Sequence, residues 1–204
     1  MPDTLAVFDT EPAFTSDWVT LRVASQLIVA ASVRVAGIFA SVPDLTTGGS
    51  DMENTSAELA ATLERYLRYR AEVDGGTRPW SDLVEFFTDD AIFIDPAWGR
   101  IQGIDAIGQF LVESMTGIED WTFPVDHLYV DGNDVIVKFR QILPDGSEQS
   151  GYSSLIYAGG GKFCYEEDVL NMTHVFEDMI ASGWQLPPGM KLPPKNPDRN
   201  FSRP

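Results

Sequence analysis

Acidic residues stand at the ends of two apolar segments of this chain, where carboxylates could transfer protons. Asp95 follows the apolar run AIFI and precedes Pro96, while Glu166 and Asp168 alternate within KFCYEEDVL. Side chains alternate along a strand, so these two acids are expected to share one face with Leu170. A carboxylate removed from water has a raised pKa, and crowded carboxylates cannot all ionise, which separates them into an acid and a base. This pattern indicates general acid–base chemistry.

Each acid also has a purely structural interpretation. Asp95 could cap the turn that follows it, as Asp-Pro pairs often do. Glu166 and Asp168 could lie in water at a strand edge, since the chain has 31 acidic residues against 14 basic ones. The sequence leaves both interpretations open.

His127 is the histidine expected to reach the apolar interior. It shares a predicted strand face with aromatic and aliphatic residues at positions 121, 123, 125 and 129, whereas His174 falls on the surface of a predicted helix. A buried His127 could pair with Asp95 or Asp168 in proton transfer, or make ordinary hydrogen bonds in the core. The two histidines and Cys164 lack the spacing of metal ligands, and the loops that bind nucleotide cofactors are missing, so we predict no metal and no cofactor.

Aromatic residues could line a cavity for a flat, apolar ligand, although ordinary core packing would use them in the same way. The candidates are Trp98, Phe110, Trp121 and Tyr157.

The elements that would position these residues follow from hydrophobic periodicity. Helical spacing predicts a first helix over Ser56–Asp74 with a capping box at Thr55 and Glu58, a second helix from Pro79, and a third that ends near Gly117. A short strand, AIFID, and a turn, GRIQG, separate the second helix from the third. After Trp121 the period changes to two, which predicts a four-stranded antiparallel meander and then a last helix capped by Asn171.

This order of elements, with TDDAIFIDPAWGRIQGIDAIGQF at its centre, resembles the nuclear transport factor 2-like superfamily over about residues 56–183. Within that superfamily, ketosteroid isomerases and SnoaL-like polyketide cyclases carry a similar arrangement of F-x-x-D-A, an acidic residue, Pro, then G-x-x-A-I. The resemblance implies an α+β fold in which a cone-shaped, curved antiparallel sheet, three N-terminal helices and one C-terminal helix surround a pocket.

The resemblance also implies roles for individual residues. Asp95 matches the general base of the isomerases, and Tyr69, or otherwise Tyr66, lies where they keep an oxyanion-donating tyrosine. Glu166 and Asp168 fall on pocket-lining positions. Ser153 stands where the isomerases hold a protonated aspartic acid, so the chain departs from them at that position.

Two functions from different classes fit these features. The first is a cofactor-independent enzyme of the isomerase, cyclase or hydrolase type, acting on a small hydrophobic carbonyl or epoxide. The second is a non-catalytic domain that binds a small molecule or only dimerises. An epoxide hydrolase of the limonene type would need an Asp-Arg-Asp set in the cavity, and alternation places Arg140 on the opposite strand face.

Composition restricts partners and location. The net charge of −17 disfavours nucleic acid and anionic membranes, and Cys164 has no partner for an internal disulfide, so a cytoplasmic protein is expected. The apolar stretch over residues 17–42 is interrupted by arginines and has acidic flanks, which disfavours a membrane anchor. We therefore predict an N-terminal extension over residues 1–51, with Met1 or Met52 as the start, a domain over 52–184 and a Pro-rich tail over 185–204. We also expect a homodimer.

Overall fold

The computed structural model describes residues 49–204, and side chains from Ser56 onward. The helices are α1 (Gly49–Asp74), a 3-10 helix (Trp80–Phe86), α2 (Ile104–Met115) and α3 (Met172–Ala181). The strands are β1 (Phe87–Asp95), β2 (Gly99–Gln102), β3 (Val125–Asp131), β4 (Asp134–Ile142), β5 (Glu148–Gly159) and β6 (Lys162–Val169). No helix in this part of the chain is long and apolar enough to cross a membrane. The predicted extension, the apolar stretch over 17–42 and the choice of start residue lie outside the described residues, apart from positions 49–51.

The sheet is mixed, curved and unclosed, and confirms the predicted α+β architecture. Its strand order is β2-β1-β6-β5-β4-β3, in which β1 runs parallel to β6 and the other neighbours are antiparallel. Three helices precede the meander and one follows it, as predicted. The prediction that GRIQG forms only a turn is wrong, because Gly99–Gln102 pairs with β1 as an edge strand. Its four residues are too few to show an alternating pattern in the sequence.

Helix α1 begins at Gly49, six residues before the predicted capping position Thr55, so the predicted boundary at Met52 falls inside a helix. Its apolar stripe is placed as predicted. Leu59, Leu63 and Tyr66 bury one face of the helix against the sheet, at the spacing of three and four residues that a helix requires.

The core lies between this helical layer and one face of the sheet. The sheet contributes Val135, Val137 and Leu155, which are fully buried, and they pack with the residues of α1. A bulge at Cys164 brings Phe163 into the same core, although simple alternation would place it on the face of Tyr165. Beyond the bulge the alternation is regular, so Glu166 and Asp168 point toward the helices.

The Pro-rich tail crosses the surface of the domain. Asp198 forms an isolated bridge with Gly99 at the free edge of β2. Its carbonyl accepts a hydrogen bond from the Arg100 amide over 2.9 Å. The tail therefore covers part of the edge that β2 would otherwise expose.

Candidate functional site

A cavity of about 570 Å³ lies between the inner face of the sheet, the helices and the tail. Its volume falls within the range of small-molecule sites. Most of its lining is aromatic or aliphatic, and the polar side chains are few. Those polar or charged residues are Arg70, Asp95, Ser114, Gln141, Ser153, Glu166, Asp168 and Lys191, together with the hydroxyl group of Tyr66.

Three acids that the sequence singled out line this one cavity. Phe93 of β1 pairs with Glu166 of β6, and the two strands run parallel. Asp95 and Asp168 each lie two residues further along, so both stay on the inner face at the carboxyl ends of their strands. Sheet register therefore brings together acids that are more than 70 positions apart in the sequence.

Glu166 and Asp168 form a pair on the inner face of β6, in which Glu166 is buried and Asp168 is half-buried. Glu166 is 4 % exposed, and its pKa is raised by burial and further by the charge of Asp168, while Arg70 opposes the rise. Burial also raises the pKa of Asp168, although a hydrogen bond from Ser153 opposes this. The Ser153 hydroxyl donates to Asp168 Oδ1 over 2.5 Å, because the two residues lie directly opposite each other on β5 and β6. The pair therefore holds a proton at pH values where an exposed carboxylate would have lost it.

Asp95 combines the two roles that its sequence position left open. Its Oδ1 accepts hydrogen bonds from the backbone amides of Ala97 and Trp98, each over 2.7 Å, so it closes the turn between β1 and β2. It also lines the cavity, and burial raises its pKa although both backbone bonds oppose the rise. Asp95 is thus a rigidly held carboxylate with a second oxygen left for other contacts.

Arg70 is a functional candidate that the sequence reasoning missed. It is 6 % exposed, and its guanidinium donates to the Tyr66 hydroxyl over 3.1 Å and to the Phe123 carbonyl over 3.2 Å. The group also lies over the rings of Trp80 and Phe139, with distances of 5.3 Å and 5.6 Å to the ring centroids. A signal was present in the sequence, because Arg70 occupies a position of the apolar stripe of α1, four residues after Tyr66.

Tyr66, the second choice for the oxyanion donor, lies in the cavity, whereas the first choice, Tyr69, does not. Tyr69 packs against Phe86 outside the lining, and the Arg78 guanidinium covers its ring. Burial raises the pKa of Tyr66, and the charge of Glu166 adds to the effect. The Tyr66 hydroxyl therefore keeps its proton, and since its oxygen accepts from Arg70, that proton can be donated elsewhere.

The prediction that His127 reaches the interior is wrong. A bulge in β3 between Val125 and His127 shifts the alternation by one residue. Leu128 consequently packs toward the core, while His127 is exposed beside Tyr129. Periodicity in the sequence could not reveal this bulge, and His127 has no contact with the carboxylates of the cavity.

Three of the four aromatic residues predicted to bind a ligand line the cavity, and one does not. Trp98, Phe110 and Trp121 line the cavity, but Tyr157 does not. Tyr157 is buried in the core, where its hydroxyl accepts a hydrogen bond from the Gly161 amide over 3.1 Å. The prediction of Tyr157 as a ligand-binding residue is therefore corrected. Tyr157 lies just before the β5–β6 turn and packs against the helices there.

The geometry supports proton transfer in a site lined mostly by apolar side chains. It holds a carboxylate fixed by backbone amides, a carboxyl pair whose pKa values are raised by burial, and a tyrosine hydroxyl polarised by an arginine. Such groups can remove a proton from carbon, return one elsewhere and stabilise a developing negative oxygen.

Comparison with known proteins agrees with this architecture. The SnoaL-like domain family matches residues 63–156. No curated protein matches the chain at a significant level. Among solved structures, a proposed SnoaL-like polyketide cyclase from Shewanella putrefaciens CN-32 is 18 % identical, over 72 % of this chain and 99 % of that protein, with a TM-score of 0.47.

Two further structures are similar at the same level. A proposed SnoaL-like polyketide cyclase from Jannaschia sp. CCS1 is 19 % identical, over 56 % of this chain and 88 % of its own, with a TM-score of 0.45. A hypothetical protein with a ketosteroid isomerase-like fold from Catenulispora acidiphila DSM 44928, in complex with trimethylamine, is 19 % identical, over 55 % and 89 % respectively, with a TM-score of 0.47. The chain therefore contains a region, residues 63–156, that is similar to SnoaL-like domains, in a fold of the nuclear transport factor 2-like class.

Proposed function

We propose that this protein is a cofactor-independent enzyme that moves a proton on a small hydrophobic carbonyl compound. One observation carries the proposal: Asp95, Glu166 and Asp168 meet in an apolar cavity, and burial raises the pKa of each. Titratable groups with perturbed pKa values are typical of catalytic sites.

In the proposed reaction Asp95 removes a proton from the carbon next to the carbonyl group. The Tyr66 hydroxyl accepts a hydrogen bond from Arg70 and donates one to the carbonyl oxygen of the substrate, which gains negative charge as the proton leaves the carbon. The Glu166–Asp168 pair then returns a proton to the carbon skeleton, and the proton held by Asp95 passes back to the pair through water, which restores the site. Isomerisation or ring closure would follow from where the pair delivers its proton.

Cavity chemistry favours this enzyme over a domain that only binds or dimerises. A domain that only dimerises needs no cavity, whereas the observed cavity is roomy, apolar and lined by Asp95. Catalysis on an epoxide is the second candidate. Arg140 lies on the outer face, bound to Asp126 and Glu148, but Arg70 supplies an arginine beside the cavity acids.

Asp95→Asn tests the proposed base. The variant keeps an oxygen acceptor for Ala97 and Trp98 but cannot take up a proton, so turnover should fall at least ~100-fold. Its free energy of unfolding should stay within about 1 kcal/mol of the parent, because relief of burial offsets the weaker hydrogen bonds. Asp95→Ala leaves both amides without their acceptor and should cost about 1–3 kcal/mol.

Model ketones can replace the natural substrate in this measurement. A panel of bicyclic and tetracyclic ketones is incubated with the protein in D₂O, and deuterium uptake next to the carbonyl group is followed by mass spectrometry. Asp89→Asn, at an exposed position of the same strand, serves as the matched control. Exchange that persists in Asp95→Asn would remove Asp95 as the base, and its absence in the parent protein across the panel would favour the binding-only function.

We also propose a homodimer through the outer face of the sheet. Lys138, Tyr152 and Val169 lie side by side across β4, β5 and β6, and the latter two are 42 % and 56 % exposed. Exposed apolar residues in such a row are typical of an interface.

Light scattering at tens of micromolar should give twice the 22.6 kDa monomer mass, and Tyr152→Lys should give the monomer. Val112→Lys, on exposed α2, should leave the mass unchanged; a monomeric parent protein would contradict the proposal.

A further inference from the structure

We propose that the C-terminal segment over residues 184–203, which we call the strap, is the ligand-binding wall and the entrance gate of the cavity. The proposal rests on the proposed function in one respect, that the cavity takes a ligand. It adds the class of that ligand: an elongated hydrophobic molecule whose polar, reacting end meets the acids and whose apolar end lies under the strap.

The strap supplies a large part of the cavity lining. Its contribution is mostly apolar and comes from six side chains: Trp184, Leu186, Met190, Lys191, Leu192 and Pro193. The acids lie on the sheet and its first turn, so the strap and the acids are contributed by separate parts of the chain. A ligand that fills the cavity must therefore touch both.

Exposed apolar side chains mark the place where strap and α3 meet the cavity. Leu186 and Leu192 of the strap are 51 % and 61 % exposed, and Phe176 and Ile180 of α3 are 54 % and 79 % exposed. All four also line the cavity. When an apolar molecule covers large apolar side chains that face both water and a cavity, the removal of their surface from water stabilises the complex. The rim is thus suited to the apolar end of a ligand.

The strap is fixed at two ends. At the first, the Trp184 indole donates to the Gly117 carbonyl over 3.4 Å, and Pro187 packs so closely on Gly117 that a Cβ there would lie 2.8 Å from its ring. At the second, the Arg100 guanidinium donates to the carbonyls of Asn200 and Ser202 over 3.2 Å and 2.8 Å. These contacts hold the strap on α2 and on β2.

Between those ends the strap contacts the domain mainly through apolar side chains, among them Met190, whose sulfur lies close to Gly117. Lys191 pairs with Glu113, an interaction that contributes little because the Lys191 side chain is 58 % exposed. Gly189 adopts φ of +84°, a backbone conformation that glycine reaches readily and other residues rarely do. The prolines on both sides stiffen the neighbouring residues. The strap opens the cavity when its C-terminal half, which polar contacts of Arg100 and Arg203 hold on the sheet, lifts away from the rim.

The neutral fluorescent probe N-phenyl-1-naphthylamine tests both parts of the proposal in the full-length protein. Met190→Ala/Leu192→Ala removes apolar contact area and should weaken equilibrium binding about 5- to 20-fold. Phe201→Ala is the matched control, since Phe201 is an exposed strap residue outside the cavity lining, and it should bind as the parent does.

Unfastening the strap tests the gate. Arg100→Ala releases two carbonyls of the strap and should speed probe association in stopped-flow measurements by about 5-fold or more, because opening limits entry. Arg203→Ala, which removes the pair with Asp134 on the sheet, repeats this test away from the turn that holds Asp95. Unchanged association in both variants would overturn the gate.

The outcomes separate this inference from the proposed function. If the double alanine variant binds the probe like the parent protein while the ketone exchange proceeds, the strap proposal fails and the enzyme proposal stands. If the strap variants change probe binding but no ketone exchanges, the enzyme proposal fails and the strap proposal stands. A parent protein that binds no probe overturns the cavity as a ligand site, and the strap proposal with it.

Discussion

Arg70→Met is expected to lower the free energy of unfolding by about 3 kcal/mol or more, because it removes a buried charge from a network that depends on it. The Tyr66 hydroxyl and the Phe123 carbonyl would each lose their donor. Glu166 and Asp168 would lose the cation that lowers their pKa values. Methionine restores much of the volume, so a cavity is not the main cause of the loss.

Urea unfolding of the variant and of Arg68→Met measures this effect. Arg68 lies two residues earlier on α1, its side chain is 59 % exposed, and it reaches Glu72 over 4.0 Å, so its removal should change stability by less than about 0.5 kcal/mol. The loss in Arg70→Met should also be larger at pH 8 than at pH 5, where the acids hold protons and need no cation. A loss below about 1 kcal/mol at both pH values would show that the network does not depend on Arg70.

The second large effect is a fall in stability as the pH rises from 5 to 9. Burial raises the pKa of Glu166 to about 8 and that of Asp168 to about 7, above the values near 4 that apply in the unfolded chain. Between pH 4 and pH 8 the folded protein therefore holds protons that the unfolded chain has released. The contribution of these two groups to the free energy of unfolding is thus largest below pH 4. It declines as the pH rises from the unfolded to the folded pKa values, at about 1.4 kcal/mol per pH unit for each of the two groups, which amounts to several kcal/mol between pH 5 and pH 9.

The Glu166→Gln/Asp168→Asn variant isolates this contribution, because other acids in a chain of net charge −17 also favour lower pH. Thermal melts at a series of pH values should show a flatter profile for this variant, and it should be more stable than the parent at pH 9. Glu64→Gln, at an exposed position on α1, is the control and should keep the parent profile. A double variant whose profile parallels that of the parent would mean that the pair titrates normally.

Local patterns in the sequence were enough to single out the three acids, but not to decide between a pocket and a structural or solvent-exposed position. Asp95 was recognised because it ends an apolar strand before a proline, and Glu166 and Asp168 because side chains alternate along a strand. These features depend on neighbours a few residues away, and they hold unless a bulge intervenes. Arg70 could have been found by the same reasoning, as a charged residue on an otherwise apolar helical stripe.

Long-range packing decided the remaining features. One extra residue in β3 turned His127 outward, and the sequence has no pattern that marks a bulge. The meeting of Asp95 with Asp168 depends on the parallel pairing of β1 with β6, strands that lie far apart in the chain. The strap shows the same limit: its prolines predict an extended segment, but its position over the cavity depends on Gly117 and Arg100, residues about 70 to 100 positions away. Periodicity in the sequence predicts on which face of a helix or strand a residue lies. The element that packs against that face depends on the free energy of packing the whole chain.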